Sequence, residues 1–375
     1  MNSLVRAAMR CRRSGRHLLA IIILVASVGL GACSTRPLQP WSADTPPLVL
    51  VPAAQAGVQD QRGRFREVFC AVLEARKDEI PDYRTCDEAL TRLEAEPGGT
   101  GKPVNLGTAS RPLVAVLVPG VGWDCFFEWL QVSETTSQHL RRFGYDQVTL
   151  EVESLASSQR NASIIRDAIL DMPAGEGPLQ LVLIGYSKGA TDILQALVSY
   201  PEIRPRVAAM ISVSGSIGGS PLANDATQSR LELLRHWPGA RCQSAGTDPG
   251  ALEDLRPASR MRWLAANPLP EDVPLYSLGT YPKPDNVSAL LRPLGNKLGR
   301  VDARNDGQVI FHSQVIPGST LAGYLNADHW AAAVPIARAH PTIGALFVTR
   351  NEFPREALME ALLRFVEEEL NSAGR

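Results

Sequence analysis

Apolar positions recur along this chain with two distinct periods. Between residues 65 and 73, Phe65, Val68, Phe69, Val72 and Leu73 are spaced i, i+3, i+4, i+7, i+8, which predicts an amphipathic helix. Ile80-Pro81-Asp82 interrupts it, and Thr85-Cys86-Asp87-Glu88 reads as a capping box opening a second helix with Leu90 and Leu93 inside. A Gly/Pro-rich run, Pro97 to Pro103, closes this helical pair. Beyond it the period changes. Short apolar runs at Leu113–Val118, Gln147–Val152, Leu179–Ile184, Val207–Val213, Val273–Leu278 and Leu321–Leu325 predict strands. Helical patterns lie between them at Asn161–Leu170 and Ala190–Val198, and a last helix from Pro354 places Leu358, Leu362, Phe365 and Val366 on one face. Near-continuous apolar strands alternating with helices predict an α/β fold, a mostly parallel central sheet with helices on both faces. About 60 residues between the fourth and fifth strands lack a strong strand pattern. That is too long for a connecting loop, so residues at about 215–272 are expected to form a cap over the carboxyl edge of the sheet.

The amino terminus changes the picture of where the protein works. Arg6, Arg10, Arg12, Arg13 and Arg16 precede an apolar run from Leu18 to Leu30, followed by LGAC, Leu30 to Cys33. A basic start, a short apolar run and a small-residue exit describe a secretory signal; a membrane-spanning anchor, the alternative, normally needs about 20 apolar residues. LGAC resembles a bacterial lipobox. The resemblance implies cleavage before Cys33, lipidation of that cysteine and, because Ser34 follows, residence at the outer membrane facing the periplasm. The domain expectation is then a signal peptide over 1–32, a Pro/Ala-rich tether over 33–60, an N-terminal helical segment over 61–110 and an α/β domain over 111–375. Residues 1–32 hold five arginines and no acid, so their loss takes the net charge from −1 to −6. No basic footprint for nucleic acid remains, and the membrane link would be the lipid.

Export makes the cysteine count informative. With Cys11 removed and Cys33 lipidated, Cys70, Cys86, Cys125 and Cys242 remain, an even number that admits three pairings. Cys70–Cys86 is favoured because the two are close in sequence and flank a turn, which leaves Cys125 with Cys242.

The chemistry centres on Gly185-Tyr186-Ser187-Lys188-Gly189, a G-x-S-x-G pattern between a predicted strand and a predicted helix. A tight strand-to-helix turn needs glycines at Gly185 and Gly189, where side chains would collide. It lifts the serine oxygen to the amino end of a helix, whose N–H groups favour developing negative charge. At this point the chain resembles the α/β-hydrolase superfamily, over about residues 112–349. The resemblance implies that Ser187 is a nucleophile and that an acid and a histidine follow in that order. A serine hydroxyl near pH 7 needs a base within hydrogen-bond reach and a carboxylate to orient that base. Of six histidines, His17 leaves with the signal, His139 precedes the serine, His236 lies in the cap and His312 follows the best acid too closely. His329, in Asn326-Ala327-Asp328-His329-Trp330 after the last predicted strand, is the expected base, with His340 as the alternative. Asp306, in Asn305-Asp306-Gly307-Gln308-Val309, is the expected acid, ahead of Asp302 and Asp328. The spacing of this DG-x-V from the later DH resembles bacterial true lipases in particular.

Two backbone donors are expected for an oxyanion, the N–H groups of Val121 and Lys188. Pro119 stands where those lipases carry the histidine of their HG-x motif. Alanines 331–333 follow His329-Trp330 where they carry calcium-binding acids, so no metal and no cofactor are expected. Trp123, Phe126, Phe127 and Trp330 flank the site as candidates for an acyl pocket. Gly218-Gly219-Ser220-Pro221-Leu222-Ala223 is either a turn into the cap or a bend of backbone close to the site. The expected function is a lipid-anchored serine hydrolase acting on small-molecule or lipid carboxylic esters. Acyltransferase, thioesterase or peptidase activity on the same triad, or a non-catalytic envelope lipoprotein, are the alternatives.

Overall fold

In the computed structural model, β4 (Gln180–Tyr186) shows how the apolar runs are used. Leu181 and Leu183 leave the sheet on one face, Val182 and Ile184 on the other, and all four are buried. A strand covered on both faces needs apolar residues at successive positions, which is why the sequence shows runs rather than alternation. The structure describes residues 57–374, except 94, 124–133, 174–179, 228–247, 249 and 343–351. The signal segment, Cys33, residues 34–56 of the tether, Cys125, Phe126, Phe127, His236 and Cys242 therefore lie outside the described residues.

Among the described residues seven strands form one sheet, in the order β1-β7-β6-β5-β4-β2-β3. They are β1 (Gln59–Asp60), β2 (Leu113–Val118), β3 (Asp146–Thr149), β4, β5 (Val207–Val213), β6 (Leu275–Thr280) and β7 (Thr320–Leu325). Every pairing is parallel. The helices include α1 (Arg62–Arg76), α2 (Cys86–Ala89), α3 (Glu134–Arg141), α4 (Ser158–Asp171), α5 (Lys188–Ser199), α6 (Pro257–Ala266) and α7 (Arg355–Ser372). One face of the sheet packs on α1 and α7 through Phe65, Phe69, Leu358, Leu362 and Phe365. The other packs on α4 and α5 through Ile165, Ile169, Ile193 and Leu197. Removing about ten large side chains of this kind from water is what offsets the chain entropy of ordering the layers.

Several boundaries differ from the sequence pattern. The tether range ends in β1, whose two residues pair with Thr320 and Leu321 at the sheet edge. Two residues carry no periodicity, so only the partner strand reveals them. The capping box at Thr85 forms, with Glu88 Oε2 accepting the Thr85 N–H at 3.1 Å. Yet α2 is a single turn and not the longer helix expected. Leu90 is extended (φ −113°, ψ 135°) and bridges Leu325, while the Thr91 N–H donates to the Tyr324 carbonyl at 2.8 Å. Pairing with β7 overrides the local helical preference. β3 stops at Thr149 and β6 starts at Leu275, after Pro274, which has no N–H for a sheet ladder.

The helical pair at 61–110 packs beside the sheet. Cys70 and Cys86 form a disulfide that ties α1 to α2. Closing a loop of this length restricts the unfolded chain, so Cys70→Ser with Cys86→Ser is expected to cost about 3 kcal/mol, read from the urea midpoint. Glu67 ties the 97–103 stretch to α1: Gly101 and Thr100 N–H groups donate to it at 2.8 and 2.9 Å, and Arg64 at 2.9 Å. Burial pushes its carboxyl up, but these donors outweigh that and hold it down at about 2. A depressed folded value means stabilisation that is present above the ordinary carboxyl range and lost as pH falls toward about 2. Glu67→Gln is therefore expected to lower the urea midpoint at neutral pH, with the gap to the parent shrinking as the pH is taken down through that window.

α7 buries charge as well as carbon. Glu360, fully buried, accepts from His139 Nε2 at 2.8 Å, Arg364 Nε at 2.8 Å and Arg76 Nη2 at 3.2 Å, joining α7 to α3 and α1. His139 is thus occupied far along the chain from the Gly185–Gly189 turn.

Candidate active site

Ser187 occupies the turn between β4 and α5 with φ 56° and ψ −120°. A non-glycine residue at positive φ stores on the order of 1–3 kcal/mol and persists only when its surroundings hold it. Here the Ser187 N–H donates to the Val213 carbonyl and its own carbonyl accepts from the Ser216 N–H, both at 3.1 Å. The flanking glycines are sterically required. A Cβ on Gly185 would lie 2.4 Å from Ala190 Cα, and one on Gly189 would lie 2.0 Å from the Val118 carbonyl oxygen.

Because β2 and β4 end in register, with Val118 opposite Gly185, the loop after β2 passes directly over the serine. A Cβ on Gly120 would lie 2.8 Å from Ser187 Cβ. Val121 follows at once, and Gly122 (φ 76°) anchors the turn by donating to Ser154 Oγ at 3.0 Å. Among the described residues, neither the Val121 nor the Lys188 N–H is taken by a protein acceptor. Lys188, 1% exposed, commits its side chain elsewhere: Nζ reaches both Asp192 oxygens at 2.7 and 2.9 Å. Asn161 Nδ2 donates to the same carboxylate at 2.8 Å, fastening α4 to α5.

The structure brings Ser187, His329 and Asp306 together. His329 Nε2 lies 2.9 Å from Ser187 Oγ, and His329 Nδ1 lies 2.8 Å from Asp306 Oδ2. The acid is fully buried and its oxygens are divided by role. Oδ1 accepts the Gln308 and Val309 N–H groups at 2.9 and 2.7 Å, an Asx turn made possible by Gly307 at φ 93°. Oδ2 accepts from Thr280 Oγ1 at 2.6 Å and Gln314 Nε2 at 3.3 Å besides the imidazole. With an acceptor at Nδ1, the neutral ring carries its proton there and leaves Nε2 to accept from the serine hydroxyl, a tautomer assigned from the network. The imidazole is held by its backbone too. The His329 N–H donates to the Asp306 carbonyl at 3.0 Å, and the Tyr186 hydroxyl donates to the His329 carbonyl at 2.6 Å. Burial drives the Tyr186 phenol well above its usual range, so it stays a donor.

The alternative residues are engaged otherwise. Asp328, beside the imidazole, receives the Ala331 N–H at 2.8 Å and the Ser288 N–H at 2.7 Å, and burial raises its carboxyl. Asp302 is paired with Arg304 at 2.7 Å. His340 ends the short helix Ile336–Ala339. Trp123, Tyr186 and Val334 form one buried apolar wall, with Ala333 and Ile336 packed against it; Trp330 is half-buried. The Gly218–Ala223 stretch serves as a strap. The Gly218 N–H donates to the Ser313 carbonyl at 2.8 Å and Ser220 Oγ to the Gln308 carbonyl beside Asp306. Arg260 of α6 reaches under it, Nε donating to the Ile217 carbonyl at 3.0 Å, and its burial pushes the guanidinium down to about 10.

Thr280, Gln314 and Tyr186 escaped the sequence pattern. Tyr186 lies inside the G-x-S-x-G pentapeptide and could have been singled out there. Thr280 and Gln314 carry no local signal, since only the fold sets them against Asp306.

Together the geometry can hold a hydroxyl for deprotonation and relay its proton to the imidazole, with two N–H groups in the adjoining turns that no described residue accepts. No family model and no curated protein matches the chain. Among solved structures it is similar to a metagenomic carboxyl esterase, with 40% identity and a TM-score of 0.82 over 89% of this chain and all of that one. It also shares its fold with the Staphylococcus hyicus lipase, at 14% identity and a TM-score of 0.51, over 73% of this chain and 100% of that one.

Proposed function

The chain belongs to the α/β-hydrolase superfamily of carboxyl esterases and lipases, and from that premise we propose that it is a serine hydrolase of carboxylic esters acting through Ser187, His329 and Asp306. The observation that carries this reading is the unbroken Ser187–His329–Asp306 chain, at 2.9 and 2.8 Å, on a strained turn. Ser187 Oγ attacks the ester carbonyl carbon as His329 Nε2 takes its proton. Asp306 stabilises the imidazolium and fixes the ring, while Thr280 and Gln314 keep the carboxylate aimed. The carbonyl oxygen, now an anion, is received by the Val121 and Lys188 N–H groups; loss of one such donor typically costs about 10²- to 10³-fold. Collapse breaks the bond to the leaving alkoxide, which takes the proton from His329. Water, deprotonated by the same imidazole, then attacks the acyl-enzyme, and the acid departs with Ser187 restored.

A fluorophosphonate probe tests this directly. One phosphonyl adduct is expected on the peptide containing Ser187, and His329→Ala is expected to abolish it. An unlabelled parent, or an adduct on another serine, would sink the assignment. We further propose that residues 215–272 act as the cap and that Cys33 carries the lipid of an outer-membrane anchor facing the periplasm. Mass analysis of the mature amino terminus should find a diacylglyceryl-modified Cys33.

A further inference from the structure

β7 leads into the loop that carries His329, and the amino-terminal segments close its outer edge. β1 pairs with Thr320 and Leu321 at the start of the strand, and Leu90 bridges Leu325 at its end. Without them that edge would present a row of unpaired backbone groups. No step of the ester reaction uses the helical pair, yet it holds the strand from which His329 hangs.

Asn326, the first residue after β7, makes the connection. Its N–H donates to the Ala89 carbonyl and its Nδ2 to the Glu88 carbonyl, each at 2.8 Å. Its Oδ1 accepts the Lys283 N–H at 2.8 Å. One side chain thus ties a carbonyl of α2 and an N–H of the segment after β6, which needs a donor and an acceptor on the same group. Asn326 is 2% exposed, so water cannot take over either bond.

Asp328 repeats the second tie, its Oδ2 accepting the Ser288 N–H at 2.7 Å. His329 follows directly, so little backbone separates these ties from the imidazole. The 82–91 segment is itself fixed, because Cys86 is bonded to Cys70 of α1. Asp82, inside the loop that bond closes, stands at φ 57°, and its Oδ2 accepts from Arg338 Nη2 at 2.6 Å. Arg338 comes after His329 in the chain, so the segment grips the loop on both sides of the histidine.

We propose that Asn326 is a positioning residue of the reaction: through it the disulfide-tied 82–91 segment holds His329 within reach of Ser187 and Asp306. The rate half of this proposal rests on the ester-hydrolase reading; the geometric half does not. The test uses the full chain under conditions where circular dichroism shows each variant folded. Asn326→Ala is expected to lower kcat for p-nitrophenyl butyrate by about tenfold to 10²-fold and to leave KM within about twofold, since a displaced imidazole slows proton transfer without removing a binding contact. The downfield proton resonance of the His329–Asp306 hydrogen bond, identified by its loss in His329→Ala, should broaden or vanish. Glu67→Gln weakens the helical pair without touching these bonds and should leave both kcat and the resonance unchanged. Cys70→Ser/Cys86→Ser should lower kcat by about threefold to tenfold, and the triple variant with Asn326→Ala should be no slower than Asn326→Ala alone. Should Asn326→Ala fail to fold, Asn326→Asp carries the same test, because it keeps the acceptor for Lys283 and loses only the donor to Glu88. A kcat equal to the parent's overturns the proposal, and so does a slower variant whose resonance is unchanged. An equal loss in Glu67→Gln would reduce the effect to stability, and losses that multiply in the triple variant would separate Asn326 from the disulfide; either overturns it. A parent that shows the resonance, loses it on Asn326→Ala and hydrolyses no ester would sink the ester reading and leave the positioning role standing.

Discussion

Ser187→Ala is expected to lower kcat/KM for p-nitrophenyl esters by about 10⁴- to 10⁶-fold, with most of the loss in kcat. The hydroxyl is the group that lies within reach of the imidazole for covalent attack, and its replacement removes a single oxygen atom. His329→Ala should cost a similar amount, because a serine without a base is nearly un-ionised at neutral pH. The double variant should be little worse than either single one, since the residues act as a unit and their losses do not add. Asp306→Asn should cost about 10⁴-fold. Its amide group would either face the Nδ1–H it must accept or face the Thr280 and Gln314 donors, which now converge on Oδ2 at 2.6 and 3.3 Å. Steady-state kinetics over an acetate-to-palmitate series read all four variants. Multiplicative losses in the double variant would show that Ser187 and His329 work in separate steps. Equal rates for parent and variants would remove ester hydrolysis from the site.

Lys188→Met is expected to destabilise the fold by about 3–5 kcal/mol. Lys188 and Asp192 are each 1% exposed, so neither charge can be screened by water. The lysine contributes two hydrogen bonds to a carboxylate whose one other described side-chain donor is Asn161 Nδ2 at 2.8 Å. Removing the cation strands an anion in the interface between α4 and α5. Removing both charges does not, so Lys188→Met with Asp192→Leu should recover most of the stability. Urea unfolding monitored by far-ultraviolet circular dichroism gives each value. A single variant within about 1 kcal/mol of the parent would mean that water or a shift of Arg260 compensates the anion. Because the Lys188 N–H sits at the first turn of α5, the single variant should also lose activity through displacement of that donor, more than the double.

What could be read from the amino-acid order alone was what the backbone enforces locally. Gly185 and Gly189 are two residues either side of Ser187 because no side chain fits between Ala190 and the end of β2, and that constraint is written within five residues. The core strands were legible because a strand buried on both faces must be apolar at successive positions, and α1 and α7 because their buried faces repeat with the helical period. Asp306 stood out through the glycine that lets it turn, and His329 through its place after the last strand. Tertiary structure decided the rest. Which donors surround Asp306 depends on β6 ending beside β7, so Thr280 and Gln314 have no local mark. The two-residue β1 and the extended Leu90 exist because β7 offers unpaired backbone groups, and a long-range hydrogen bond outweighed a short helix. The burial of Lys188, Asp192 and Glu360 is likewise invisible in sequence, since a charged residue reads as surface until the fold supplies its partner. Distances of 2.9 and 2.8 Å between residues separated by 142 and 23 positions are a property of packed layers, and only the folded chain has them.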